Sequence, residues 1–197
     1  MYMPPLPDAL LPVYSSKRLT EEEFAALCRE RPDLLAELEV DGRLKIMSPV
    51  GGLTGNRENE FNADLTLYAR AQGGKAFSAS TGFRLPDGSI RSPDAAYLSD
   101  AQLSQLSPEQ LEKFIPAVPV FIIEVLSVSD GLREAETKMR DTWIANGVRL
   151  AWLADVDNQR LWIYRADHSV ELVSPLDRTI TGEDVLPGFT FDLNLLT

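Results

Sequence analysis

Two runs decide how this chain folds: Ser92-Pro93-Asp94-Ala95-Ala96-Tyr97-Leu98 and Val118-Pro119-Val120-Phe121-Ile122-Ile123-Glu124-Val125-Leu126. The second is almost continuously apolar, the pattern of a strand buried on both faces, yet Glu124 stands inside it. Alternation along a strand puts Glu124 on the face of Val120, Ile122 and Leu126, and Asp94 on the face of Ala96 and Leu98. An ionised carboxylate in such a place is costly unless it is paired, hydrogen-bonded or bound to a metal. Two such anomalies, 30 positions apart, point to a shared carboxylate site. The structural alternative is that Asp94 caps a turn beside Pro93 while Glu124 pairs with an arginine such as Arg91 or Arg84.

Working outward, Thr20-Glu21-Glu22-Glu23 reads as a capping box ahead of a helix whose face is Phe24, Leu27 and Cys28, and Pro32 stops it. Asp41-Gly42 between ELEV and RLKIM is a hairpin signal. A helix is expected from about Asn56 to Gln72, on Phe61, Leu65 and Tyr68, closed by Gly73-Gly74. Gly51, Gly52 and Gly55 read as a loop at the edge of a cleft, since no GK[ST] follows to make a phosphate loop. Short strands KAFSAS and GFRL, a turn at Asp87-Gly88 and a short helix from Ser107-Pro108 come next. After the apolar strand, Asp130 is expected to cap a helix lasting to Asn146, with Leu132, Met139 and Trp143 as its core stripe and Gly147 as its end. RLAWLAD, RLWIYR and SVELV are three further strands. Residues 1–18, with four prolines, read as an extended N-terminal arm, and residues 19–197 as one mixed α/β domain.

The chain has 197 residues, 19 Lys and Arg, 30 Asp and Glu, and a formal charge of −11. One histidine and one cysteine exclude a His-rich zinc site and a disulfide framework within one chain. His168, in RADHSV, reads as a turn residue and Cys28 as a small core residue. Chemistry here rests on carboxylates, lysine and a metal. Residues 155–197 carry 3 basic and 8 acidic groups, the densest acidity in the chain. Clustered Lys and Arg, the usual source of phosphate affinity, are absent. No apolar run reaches membrane-span length and the N-terminus lacks a signal pattern, so a cytoplasmic protein is expected.

The order SPDAAYL, FIIEVLS-x-SD, a helix bearing Lys138, a glycine and WLAD resembles the PD-(D/E)XK nuclease superfamily, and more closely the Uma-type family of putative restriction endonucleases. DGRLKIMSPVGG, TGFRLPDGSIRSPDAAYLS, the segment from Phe121 to Asp155 and VLPGFTFDL follow that family's pattern in order, over about Glu37 to Leu193. The resemblance implies a restriction-endonuclease-like core with an N-terminal helix and hairpin and C-terminal strands. It implies Asp94 and Glu124 as ligands of Mg²⁺ or Mn²⁺, with the Val125 carbonyl as a third.

The motif's lysine would stand two places after Glu124, where this chain has Leu126, and the matching residue is Lys138 on the following helix. At about 100° per residue Lys138 lies roughly a third of a turn from the core stripe, free to snorkel to the strand ends or to face water. Glu60 in TGNRENEF is the matching acid of the first core helix, with Glu37 a weaker candidate; an exposed helix glutamate is the other reading of Glu60. The implied activity is metal-dependent endonuclease hydrolysis of DNA by a metal-activated water, in a homodimer. The alternative is a catalytically weak or inert member of the fold that binds partners or oligomerises.

Overall fold

Thr20 opens the first helix as its sequence requires. Its hydroxyl accepts from the Glu23 amide, and the Glu23 carboxylate accepts from the Thr20 amide. In the computed structural model, which describes residues 13–128 and 130–197, this helix, α1 (Glu21–Glu30), follows strand β1 (Val13–Arg18). The end of the proline-rich arm is therefore a strand, and residues 1–12 lie outside the described residues. β2 (Ala36–Leu38) and β3 (Arg43–Ile46) form the hairpin, with Gly42 at φ 81° in its turn, a conformation a side chain would oppose.

Helix α2 (Gly52–Gln72) begins four residues earlier than its apolar spacing indicates, so Gly52 and Gly55 are helical and not part of a loop. It ends at Gly73, φ 94°. β4 (Lys75–Ser78), β5 (Phe83–Arg84), β6 (Ile90–Arg91) and β7 (Ala95–Leu98) follow. Two short helices come next, α3 (Asp100–Leu103) and α4 (Pro108–Leu111), each opened by a serine capping box. β8 (Phe121–Val125) leads into α5 (Leu132–Thr137), which continues as a π-helical turn over Lys138–Ile144. Its N-cap is Gly131; the expected cap, Asp130, accepts instead from the Ser127 amide at 2.7 Å. β9 (Leu150–Asp155), β10 (Arg160–Arg165), β11 (Val170–Val173), β12 (Thr179–Thr181) and β13 (Thr190–Asp192) complete the strands, and a 3₁₀ turn, Leu193–Leu196, ends the chain.

The main sheet has the order β11-β10-β9-β8-β7-β4, antiparallel throughout except for the parallel pair β8–β9, which α5 and the π turn connect. One face, with Ala95, Tyr97, Phe121, Ile123 and Trp152, packs on Phe61 and Leu65 of α2 and on Phe189 and Phe191 near the C-terminus. The other face, with Ala96, Leu98, Ile122, Ala151 and Leu153, packs on Met139, Trp143 and Ile144 of the π turn. A second sheet, β1-β3-β2-β6-β5, holds a smaller core of Phe24, Leu38, Leu44 and Ile90 with α1. His168, φ 67°, lies in the β10–β11 turn, as its setting in RADHSV implies.

Leu65 is fully buried between α2 and the main sheet. Leu65→Ala should lower stability by about 2–5 kcal/mol, read as a lower urea midpoint with an unchanged slope.

Candidate active site

Strand register builds the site. β7 and β8 are antiparallel with Ala95 opposite Ile123 and Ala96 opposite Ile122. One step further along the same register sets Asp94 across from Glu124, close enough on adjacent strands for their side chains to interact. The Val125 amide, at the end of β8, donates to Asp94 Oδ2 at 2.6 Å. The Asp94 carbonyl accepts from Asn62 Nδ2 at 2.8 Å, tying β7 to α2. Glu124 Oε1 accepts from the Trp143 indole N–H at 2.7 Å and lies 2.9 Å from Lys138 Nζ.

The second sheet completes the cluster. β2 and β6 pair Leu38 with Ile90, so that register sets Glu37 across from Arg91. Glu37, with no exposed surface, accepts from the Ser92 amide at 2.9 Å, from Arg91 Nη1 at 3.2 Å and from Lys138 Nζ at 3.2 Å. Arg91 also grips Glu39 through two bonds of 2.6 and 2.7 Å. Neither arginine that the sequence offers as a partner of Glu124 takes that place, because Arg91 serves Glu37 and Glu39 while Arg84 meets Glu21 at 3.3 Å. The cation on Glu124 is Lys138.

Asp94, Glu124 and Lys138 are thus brought together, and Glu60 is not. Glu60 lies about 200° around α2 from Glu58, and there it adds to the burial that raises the carboxyl of Asp64. Glu58 is the α2 carboxylate that interacts with Glu124 and Asp94. Its position was readable in the sequence, since Glu58 lies three residues before Phe61 and seven before Leu65, on the helix stripe that faces the sheet. Trp143 read only as core, because periodicity says nothing about which polar atom an indole finds.

The electrostatics divide the cluster in two. Burial, and then the neighbouring Glu124 charge, hold the Asp94 carboxyl well above the usual carboxylate range. Burial also raises Glu124, against the opposing pull of Lys138. The Asp94–Glu124 pair therefore titrates as a unit that retains protons. Glu37 goes the other way: burial would raise it, but Lys138, Arg91 and the Ser92 amide together hold it down. Lys138 is kept above the ordinary lysine range, because Glu124 and Glu37 outweigh its desolvation.

Asp94 and Glu124 offer hard oxygen ligands. Mg²⁺ commonly takes only one or two protein carboxylates and fills its remaining positions with water or phosphate. The donor set, two like-charged carboxyls whose joint ionisation a cation would relieve, fits such an ion. A larger preformed cage of three or more His, Cys, Asp or Glu side chains is absent among the described residues.

Opposite pH dependences follow. The raised carboxyl of Asp94 contributes fully below its unfolded value of about 3.9, and that contribution is lost as pH rises through the folded value. Asp94→Asn should therefore be more stable than wild type in metal-free buffer at pH 8, the gap closing toward pH 4. The lowered carboxyl of Glu37 is stabilising above its unfolded value of about 4.3 and loses that effect as pH falls through the folded one. Glu37→Gln should be less stable at pH 8, with the difference shrinking in acid. Urea melts of both variants across pH check the two slopes.

The chain is similar to known proteins at two levels. The model of the Uma2 family, "Putative restriction endonuclease", matches residues 21–195. Among solved structures, a putative nuclease belonging to DUF820 from Anabaena variabilis superposes with a TM-score of 0.74 at 18% identity, over 90% of this chain and 97% of that one. At that identity the likeness establishes a shared fold. No curated protein matches the chain. The family match covers the main sheet, the second sheet except β1, and every residue of the carboxylate–lysine cluster, and the chain belongs to the Uma2 family of putative restriction endonucleases.

Proposed function

We propose that this protein is a metal-dependent endonuclease that hydrolyses phosphodiester bonds of DNA. The observation that carries this reading is the β7–β8 register, which sets two half-buried carboxylates, Asp94 and Glu124, side by side with Lys138 on the second. Asp94 and Glu124 would hold Mg²⁺ or Mn²⁺, with the Val125 carbonyl as a third ligand. The bound ion would supply Lewis acidity at a phosphoryl oxygen and ease the deprotonation of a water.

The chain's own residues do the rest. Lys138, clamped by Glu124 and Glu37, stays an ammonium at neutral pH. It is therefore a fixed positive charge that stabilises negative charge developing on the phosphate, and not a base that takes a proton from water. Glu58, raised by burial and by Glu124, adds a third carboxyl to the acidic side of the site. Arg91 neutralises Glu37 and Glu39, so that Lys138 is not drawn wholly away from Glu124. Cutting both strands of a duplex is the work of two such chains acting as a homodimer. Cytoplasmic DNA is the substrate pool this reading assigns.

Purified protein incubated with supercoiled plasmid and Mg²⁺ or Mn²⁺ should nick it, and chelator should abolish nicking. Asp94→Asn and Glu124→Gln should fall to the chelator level. Lys138→Met should lose roughly 100- to 1,000-fold, the cost of removing one preorganised charge donor. Wild-type protein that nicks no better than Asp94→Asn with either metal on duplex or single-stranded DNA would sink the proposal.

A further inference from the structure

The helix after β8 is α-helical only to Thr137 and then widens into a π turn over Lys138–Ile144. Its mark is the five-residue hydrogen bond from the Ala145 N–H to the Arg140 carbonyl at 3.0 Å, and the segment closes in a Schellman turn at Gly147, where the Val148 N–H donates to the Trp143 carbonyl at 3.1 Å and the Gly147 N–H to the Ile144 carbonyl at 3.0 Å. Turns of the π kind are rare and collect at functional sites. In a continuous α-helix, residues five apart lie about 140° from one another around the axis, so Lys138 and Trp143 would face different surroundings. In a π turn, position i+5 comes back above position i, as the hydrogen-bond pattern requires. Lys138 Nζ sits 5.7 Å from the Trp143 ring centre, and the two side chains meet one oxygen, Glu124 Oε1, Lys138 as an ion pair at 2.9 Å and the Trp143 N–H as a hydrogen bond at 2.7 Å.

The geometry points to Trp143 as a positioning residue, with the π turn as the device that stacks it on Lys138 and fixes the Glu124 carboxylate. Trp143 is fully buried, and its indole is a donor with no second use. With Oε1 held by one hydrogen bond and one ion pair, the carboxylate cannot rotate freely about its last bond. Oε2, which no hydrogen bond among the described residues engages, is then the oxygen left for a cation shared with Asp94. Partners that orient a ligating carboxylate in this way are worth roughly 10- to 100-fold in metal affinity or activity. This role rests on the nuclease reading above, but its structural half can be tested without it.

Two measurements separate the possibilities. The first is the indole N–H resonance of Trp143 in metal-free protein labelled with ¹⁵N, identified by its disappearance in Trp143→Phe. Glu124→Gln should shift it, and Mg²⁺ alone should shift it in wild type and not in Asp94→Asn. The second is plasmid nicking: Trp143→Phe should need roughly 10- to 100-fold more Mg²⁺ for half-maximal rate, beyond what a lowered melting temperature explains. If Trp143→Phe does not fold, the resonance is assigned by elimination with Trp152→Phe and Trp162→Phe, and the wild-type, Glu124→Gln and Asp94→Asn spectra decide. An indole resonance indifferent to Glu124→Gln and to Mg²⁺ overturns the proposal, as does nicking by folded Trp143→Phe at the wild-type Mg²⁺ dependence. Wild-type protein that binds Mg²⁺ with the expected indole shift but does not nick would leave the positioning role standing and remove the nuclease reading.

Discussion

The ammonium of Lys138 is held between two carboxylates that come from different sheets, Glu37 of β2 and Glu124 of β8. Everything around the site depends on that sharing. Glu37 has no exposed surface and Glu124 very little, so each would be an uncompensated buried charge without it. The same contact anchors the N-terminal sheet to the far side of the helix that follows β8. Arg91 makes the arrangement possible by taking Glu39 and part of Glu37, which leaves the cluster tied in a chain of alternating charge. A lysine so placed is a structural rivet, and its positive charge stays in a fixed position.

Register, more than proximity in sequence, assembles the acids. In both sheets one antiparallel pairing sets a charged residue opposite its partner one step beyond the last paired residues, Asp94 against Glu124 and Glu37 against Arg91. The outcomes differ because the partners differ. The second pair is opposite in sign and stabilises the core. The first is like in sign, resists ionisation and is stable only as a proton-sharing pair or with a cation. Sites that cost folding free energy in this way are where function is expected to reside.

The overall charge of −11 looks hostile to nucleic acid, and the site explains how the two coexist on the nuclease reading. Among the described residues, Glu58, Asp94, Glu124 and Asp130 gather here while Lys138 is shared between Glu124 and Glu37, and Arg91 is spent on the second sheet. A phosphate backbone entering this cleft meets net negative charge until a divalent ion is present. Metal and substrate would then bind cooperatively, and affinity for DNA in the absence of metal would be weak.

By itself the sequence determined the alternation of elements, the burial of the FIIEV strand and the anomaly of Glu124 and Asp94 within apolar faces, because those are local periodicities. It also marked α1, whose capping box is a purely local signal. Lys138 was legible only through the family pattern; 100° per residue left it between core and solvent, since nothing local announces a π turn. Glu58 lay on the readable sheet-facing stripe of α2, whereas the tertiary structure alone decided that Gly131 and not Asp130 caps the helix and that Trp143 donates to Glu124. Each of these turns on which neighbour a side chain finds across a sheet or a helix interface. Such partnerships are long-range and carry no period along the chain.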